Sequence, residues 1–206
     1  MKIGLLLTRE IYQELERRGH YLGISKTSTV LLHLVLYATQ FKEVTKEELE
    51  HELDKIEVSH QQLQVEISNF ILLKYENRKM YLLTVRKYLS AYLSYVVDHT
   101  EWKSEKDPAF KVISTTCLSQ GAANQLTSFK EQTGIPNTAL LNYALTLDYS
   151  APSAKLISKE SDRVQQGIQL TKSSSKRIQE LSDETGYPSN IVLEQQLIKL
   201  LENIVK

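Results

Sequence analysis

Residues 1–40, MKIGLLLTREIYQELERRGHYLGISKTSTVLLHLVLYATQ, decide how the rest of the chain is read. From Lys2 to Leu7, Ile3, Leu5 and Leu7 alternate with Lys2, Gly4 and Leu6, the period-two pattern of a strand with one apolar face. Thr8 then stands as an N-cap before Ile11, Leu15 and Leu22 at helical spacing. Gly23 breaks the pattern, and a second helix starts near Lys26. That second helix is apolar almost all round, so it is expected to be buried on more than one side. His33 lies inside it and reads as a core histidine satisfied by a neighbour rather than a ligand or catalyst. A lone strand has no ladder partner and so small a helix pair cannot bury its apolar side, so the unit needs a mate.

The pattern returns twice. Lys111 to Leu118 alternates, Ser119 caps a helix with Ala122, Leu126 and Phe129, and the turn Thr133-Gly134-Ile135-Pro136-Asn137 leads to a helix with Leu140, Leu141, Ala144 and Leu145. Val164 to Leu170 alternates, Thr171 caps a helix with Ile178 and Leu181, and Thr185-Gly186-Tyr187-Pro188-Ser189 leads to a helix with Ile191, Val192, Leu197 and Leu200. Gly23, Gly134 and Gly186 align as equivalent hinges, so the expected organisation is three imperfect copies of one half-structure.

Each copy resembles the ribbon-helix-helix family of DNA-binding proteins, to which the Arc and MetJ repressors belong. The resemblance implies that two copies pair their strands into an antiparallel ribbon for the DNA major groove, and that the N-terminus of each second helix holds a phosphate. Copies 2 (111–149) and 3 (164–206), joined by a linker at 150–163, are expected to pair within the chain. Copy 1 (1–42) is then left over and is expected to form a homodimer with copy 1 of a second chain.

Between the copies, Thr45 and Glu48 form a capping-box pattern for a helix carrying Leu49 and Leu53. Ser59 is expected to cap a second helix, His60 to Asn69, with Leu63 and Ile67 inward. Ile71 to Thr84 reads as a hairpin tipped by Arg78 and Lys79. Helix, helix and basic hairpin resemble a winged helix, which implies that His60, Gln61 and Gln64 face the groove and that Arg78 and Lys79 touch backbone; the competing reading is a small bracing domain. Tyr88, Tyr92 and Tyr95 recur at helical spacing in a trailing helix that closes the 43–97 segment, a stripe that reads as core or interface before it reads as a base-stacking platform. A polar connector at 98–110, with the single Trp102, is the expected main boundary.

The expected fold class is therefore mainly α with short β-ribbons. Strand parity leaves Lys111, Ile113, Thr115 and Cys117 outward in copy 2 and Gln165, Gly167 and Gln169 in copy 3. Of these Lys111, Thr115, Gln165, Gly167 and Gln169 are the base-facing candidates, since Gln pairs bidentate with adenine and the Thr methyl meets the thymine methyl. The family likeness implies phosphate clamps at Lys26 and Thr27, Asn137 and Thr138, and Ser189 and Asn190. For every polar position the alternative is plain solvated surface.

The 206 residues carry 25 basic and 25 acidic side chains, which argues against a purely electrostatic nucleic-acid binder. Residues 1–42 hold six basic and three acidic groups, however, so the charge is uneven. Cys117 is the only cysteine, which points to a reducing compartment. Arg9 and Glu10 cut the first apolar run far below signal-peptide length, and a cytoplasmic location without membrane contact is expected. His20, His33, His51, His60 and His99 show no metal spacing, and neither a phosphate loop nor a nucleophile elbow is present, so no enzyme, metal or cofactor is expected. The expectation is a sequence-specific double-stranded DNA binder, a transcriptional regulator or repressor acting as a multivalent dimer. The alternatives are an accessory protein of plasmid transfer or maintenance, acting in conjugation or partition, and an interaction scaffold without DNA.

Overall fold

A computed structural model describes residues 1–40, 43–76, 78–102, 111–147 and 162–205. Most of both expected linkers, 103–110 and 150–161, lies outside the described residues. The described residues are mainly helical with two small antiparallel two-stranded sheets, and the chain divides into two units, one built almost entirely from its first half and the other from its second.

Unit 2 contains β3 (Lys111–Ser119), α6 (Gln120–Thr133), α7 (Asn137–Ala144), β4 (Arg163–Thr171), α8 (Lys172–Thr185) and α9 (Ser189–Val205). β3 and β4 pair antiparallel from Lys111 opposite Thr171 to Ser119 opposite Arg163. A two-stranded ribbon is marginal in water by itself. Here one face is covered: Leu118, Ile168 and Leu170 are buried with Leu126, Ile178, Leu181, Leu141 and Leu193 from the helices. Ser119 and Thr171 turn strand into helix by accepting the amides of Ala122 (3.3 Å) and Ser174 (3.1 Å) on their hydroxyls.

Unit 1 contains β1 (Lys2–Leu7), α1 (Arg9–Leu22), α2 (Lys26–Gln40), α3 (Lys46–Val58), β2 (Gln61–Glu66), α4 (Asn69–Leu73) and α5 (Val85–Asp98). β1 pairs antiparallel with β2, from Lys2 opposite Glu66 to Leu7 opposite Gln61. The mutual hydrogen bonds of Met1 and Ile67 extend that ladder by one pair. Four sequence expectations therefore fail. The segment expected as a helix at His60–Asn69 is the strand β2. Leu63 and Ile67 are four apart, a spacing that satisfies one helix face and one strand face alike, and the mate available in β1 decides between them. The expected hairpin at 71–84 is instead the short helix α4, capped by Ser68, followed by a turn in which Leu83 N–H donates to the Met80 carbonyl (2.8 Å). Without recognition helix or wing, the winged-helix arrangement of 43–97 is absent from the described residues. Copy 1 is not spare either: its strand is paired within the chain, which removes the reason for a homodimer through residues 1–42.

Among the described residues β2-α4-α5 has the same strand-helix-helix order as the three copies read from the sequence, which makes it a hidden fourth half. Helices α1, α6 and α8 each have 14 residues, whereas α4 has 5. Gly23, Gly134 and Gly186 all take positive φ (69°, 75° and 71°), the left-handed geometry that closes the first helix of each full copy. In the hidden copy Tyr81 and Leu82 occupy that region without being glycine (φ 48° and 64°).

The interior of unit 1 encloses an arginine and a histidine. Arg18, 2% exposed, donates to Glu14 (2.7 Å), His33 Nε2 (2.9 Å), Thr100 Oγ1 (2.9 Å) and the carbonyls of Val97 (2.9 Å) and Thr100. Because arginine only donates, His33 Nε2 must accept; Nδ1 then carries the proton and donates to the Thr29 carbonyl (2.7 Å). Burial first, and Arg18 second, push the His33 pKa down to about 3. Trp102 stacks on the His33 ring at 4.7 Å. His33 is thus the satisfied core histidine its surroundings predict. The tyrosine stripe is core as well: Tyr88 and Tyr92 are buried with Tyr75. Tyr75 and Tyr92 hydroxyls donate to the carbonyls of Leu34 and Tyr37 (both 2.6 Å) near the end of α2, and burial raises the Tyr92 pKa to about 12. α3 is capped by the expected Thr45 and Glu48 box and buries Leu49, Glu52 and Ile56.

Candidate nucleic-acid interface

The face of each ribbon that the helices leave uncovered is fixed by strand parity. On the β3/β4 ribbon it carries Ile113 opposite Gln169, Thr115 opposite Gly167, and Cys117 opposite Gln165. All six are exposed, while Thr116, Leu118, Ile168 and Leu170 are buried on the other side. The expected base-facing residues Thr115, Gln165, Gly167 and Gln169 therefore share one surface, and Lys111 starts the same strand, opposite Thr171.

This surface is held rigid from beneath at both ends. Asn142 in α7 donates to the Gln169 carbonyl (3.0 Å) and accepts from the Thr171 amide (3.0 Å). At the other end Glu194 in α9 accepts from the Ser119 amide (3.0 Å) and pairs with Arg163 (2.6 Å), whose guanidinium also donates to the Cys117 carbonyl. Asn142 and Glu194 each lie eight residues past the hinge glycine of their copy, so equivalent positions clasp the end of the partner copy's strand. The sequence reading missed both, although their equivalence about Gly134 and Gly186 was available to it.

Of the expected clamps, Asn190 touches β3, and the start of α7 is linked to β4 through Asn142, whose amide donates to the carbonyls of Thr138 (2.9 Å) and Gln169. α7 begins at Asn137 after Pro136, which has no side-chain cap, and Ala139 N–H bonds to the Pro136 carbonyl (2.9 Å). α9 begins at Ser189 after Pro188, whose carbonyl takes the amides of Ile191 (2.9 Å) and Val192 (3.1 Å). The amides of Asn137, Thr138, Ser189 and Asn190 have no acceptor within their helices and carry the positive end of the helix dipole. The Asn190 side chain reaches the Cys117 carbonyl (3.3 Å), tying this helix start to β3.

On the β1/β2 ribbon the uncovered face pairs Lys2 with Glu66, Gly4 with Gln64 and Leu6 with Gln62. A Cβ at Gly4 would collide with the Gln62 amide and lie 3.0 Å from Gln64 Nε2, so both glutamines fold across the strand opposite. Of the residues expected to face the groove here, Gln64 does lie on the outward row. Gln61 falls on the inward parity at the strand's frayed end, and His60 precedes the strand with Nδ1 bonded to the Ile56 carbonyl (3.0 Å). Gln62 was missed because a helical reading turns it away from Gln64.

Helix starts differ in this unit. Lys26 and Thr27 open α2 as expected, but the Lys26 ammonium lies over the Tyr12 ring (3.3 Å to the centroid) and against Glu16 (3.1 Å). Burial works against that charge, yet Tyr12 and Glu16 outweigh it and the pKa is raised. Arg78 is not a wing contact: its guanidinium donates to the Ala38 carbonyl and lies over Tyr75 and Tyr92, covering the end of α2. Lys79 is exposed, 3.9 Å from Glu43. At the start of α5, capped by Thr84, Arg86 and Lys87 are exposed; Arg86 reaches Gln62 at 3.5 Å. These two cations stand where the hidden copy has its second-helix start, and only the strand assignment of 61–66 brings them to notice.

No helix among the described residues is long and apolar enough to cross a membrane. No protein-family model, curated protein or solved structure matches this chain.

Proposed function

We propose that this chain is a sequence-specific double-stranded DNA-binding protein of ribbon-helix-helix type, working as a transcriptional regulator or repressor. The observation that carries the reading is the β3/β4 ribbon, which exposes Thr115, Gln165 and Gln169 on one face, beside two helices, α7 and α9, that each start after a proline. In a major groove the glutamine amides would pair with adenine edges and Thr115 would meet a thymine methyl. Backbone amides of Asn137, Thr138, Ser189 and Asn190 would hold the flanking phosphates.

The β1/β2 ribbon is a second reader on this view, with Gln62 and Gln64 as its base-facing groups and Arg86 and Lys87 at phosphates. Two modest readers on one tether raise effective affinity without a large positive charge, which suits a neutral chain. Both ribbons close within one chain, so binding does not require the homodimer through residues 1–42.

Selection of bound sequences from random duplexes, followed by gel shift of selected against scrambled duplex, tests the proposal. The expected result is preferential binding that weakens steeply with salt. Gln165→Ala and Gln169→Ala should each cost roughly 1–3 kcal/mol on the selected duplex only. Equal affinity for both duplexes overturns it. Selected sites near promoters would support a regulator, and sites near a nick would support the plasmid-transfer role.

A scaffold without DNA is favoured by one observation: Ile113 is 81% exposed at the centre of the same face. A protein partner seated on Ile113 would bind with little salt dependence and would be lost in Ile113→Lys.

A further inference from the structure

Beneath the β3/β4 ribbon, between it, α8 and the start of α9, lies a cleft of about 380 Å³. Ile168, Leu170, Ile178 and Leu193 supply the apolar part of its lining, the other seven lining residues are polar, and no ionisable side chain lines it. The volume is at the small end of ligand sites and has room for about a dozen non-hydrogen atoms at ~30 Å³ per water-sized group.

The opening has a cause in the repeat. Counting back twenty residues from Gly134 and from Gly186 pairs Ser114 with Gln166, so a serine stands at the cleft where the equivalent position has a longer side chain. Two features then point to an occupant. Thr116 borders the cleft, is 7% exposed, and its hydroxyl has no hydrogen-bond partner among the described residues. Ser189 and Asn190 also line it, with first-turn amides that their own 17-residue helix cannot satisfy.

We propose that this cleft binds a small amphipathic monoanion, an aliphatic body ending in a carboxylate. The apolar part of the lining takes the body, the Thr116 hydroxyl donates to one carboxylate oxygen, and the amides of Ser189 and Asn190 donate to the head. Two amides and a helix dipole of about half a charge match a single negative charge, and no cation is present to balance a second. The site is independent of the DNA reading, although it uses two of the same amides.

The test is an NMR titration of the full chain, without DNA, using hexanoate, 1-hexanol and inorganic phosphate as probes. Hexanoate should give saturable shifts at the Ser189 and Asn190 amides and at the Thr116 and Leu193 methyls. Hexanol should bind at least tenfold more weakly, and phosphate should leave the methyls unmoved. Ser114→Leu, which fills the cleft, should weaken hexanoate at least tenfold. Thr116→Val, which keeps the shape, should weaken it several-fold in a chain that still folds. The proposal is overturned if hexanoate fails to saturate below about 10 mM, if phosphate matches it, or if Thr116→Val binds like wild type. Failure of DNA binding would leave all of these readouts unchanged.

Discussion

The two units are built on one plan and differ in how they fill it. Unit 2 keeps both first helices at 14 residues, starts its second helices after proline, and has an interior that is mostly aliphatic beneath its ribbon. Unit 1 has one first helix of only 5 residues, carries α3 in addition, and packs Arg18, His33 and three tyrosines together with half-buried Trp102. A half-structure can shed a helix only if something else buries the surface that helix covered. Here Tyr75, Tyr88 and Tyr92 supply bulk, and the hydroxyls of Tyr75 and Tyr92, with Arg78, donate to the α2 carbonyls of Leu34, Tyr37 and Ala38.

The sharpest way to break this contrast is Arg18→Ala. It leaves His33 Nε2 and the carbonyls of Val97 and Thr100 without their donor inside unit 1, at a cost of about 3–5 kcal/mol. Trp102 is the only tryptophan and stacks on His33, so its fluorescence during urea unfolding reports this unit. Its midpoint should fall steeply. Backbone amide exchange of β3 and β4 should not change.

Acid should act on the same unit next. Between pH 6.5 and about 3 the unfolded chain protonates His33 while the folded chain does not, so stability is fully present above pH 6.5 and drains as pH falls. The loss is about 2 kcal/mol at pH 5. His33→Gln offers a donor and an acceptor without titrating, and its Trp102-monitored unfolding should flatten over that range. A wild-type profile equally flat would remove histidine from the account.

Smaller effects separate the ribbons. Asn142→Ala should cost about 1–2 kcal/mol by leaving the Thr171 amide unpaired, seen as faster hydrogen exchange confined to the β3/β4 ladder. Smallest are the central glycines. Gly4→Ala must push Gln62 and Gln64 aside, while Gly167 has open space above it. Both should change stability by under about 1 kcal/mol. Only Gly4→Ala should alter which duplexes are selected by the first ribbon.

Much of unit 2 is legible in the sequence, because its two copies keep glycine at the left-handed hinge, a hydroxyl at the strand-to-helix junction and an inward row that ends in a buried leucine, Leu118 or Leu170, although Val112 at the far end of the inward row of β3 is exposed. Unit 1 is half legible. Its first copy keeps those marks; the second keeps only Ser68 as cap and the alternation of Gln62, Gln64 and Glu66 against Leu63, Val65 and Ile67. Tyr81 and Leu82 replace the glycine, and a four-residue spacing fits helix and strand equally. At the candidate interface, parity predicted the exposed rows of β3 and β4. Asn142, Glu194, Arg86 and Lys87 were not foreseen, since their placement depends on which strand pairs with which.

Closing each ribbon inside one polypeptide frees its two strands from carrying the same residues. A dimer of identical chains presents mirrored rows and so favours a palindrome. Here Ile113, Thr115 and Cys117 face across to Gln169, Gly167 and Gln165, and any duplex lying on them meets different chemistry at its two ends. On the proposed DNA-binding reading, such a chain would take a site with no internal symmetry, and dilution would not separate the two strands of its ribbon.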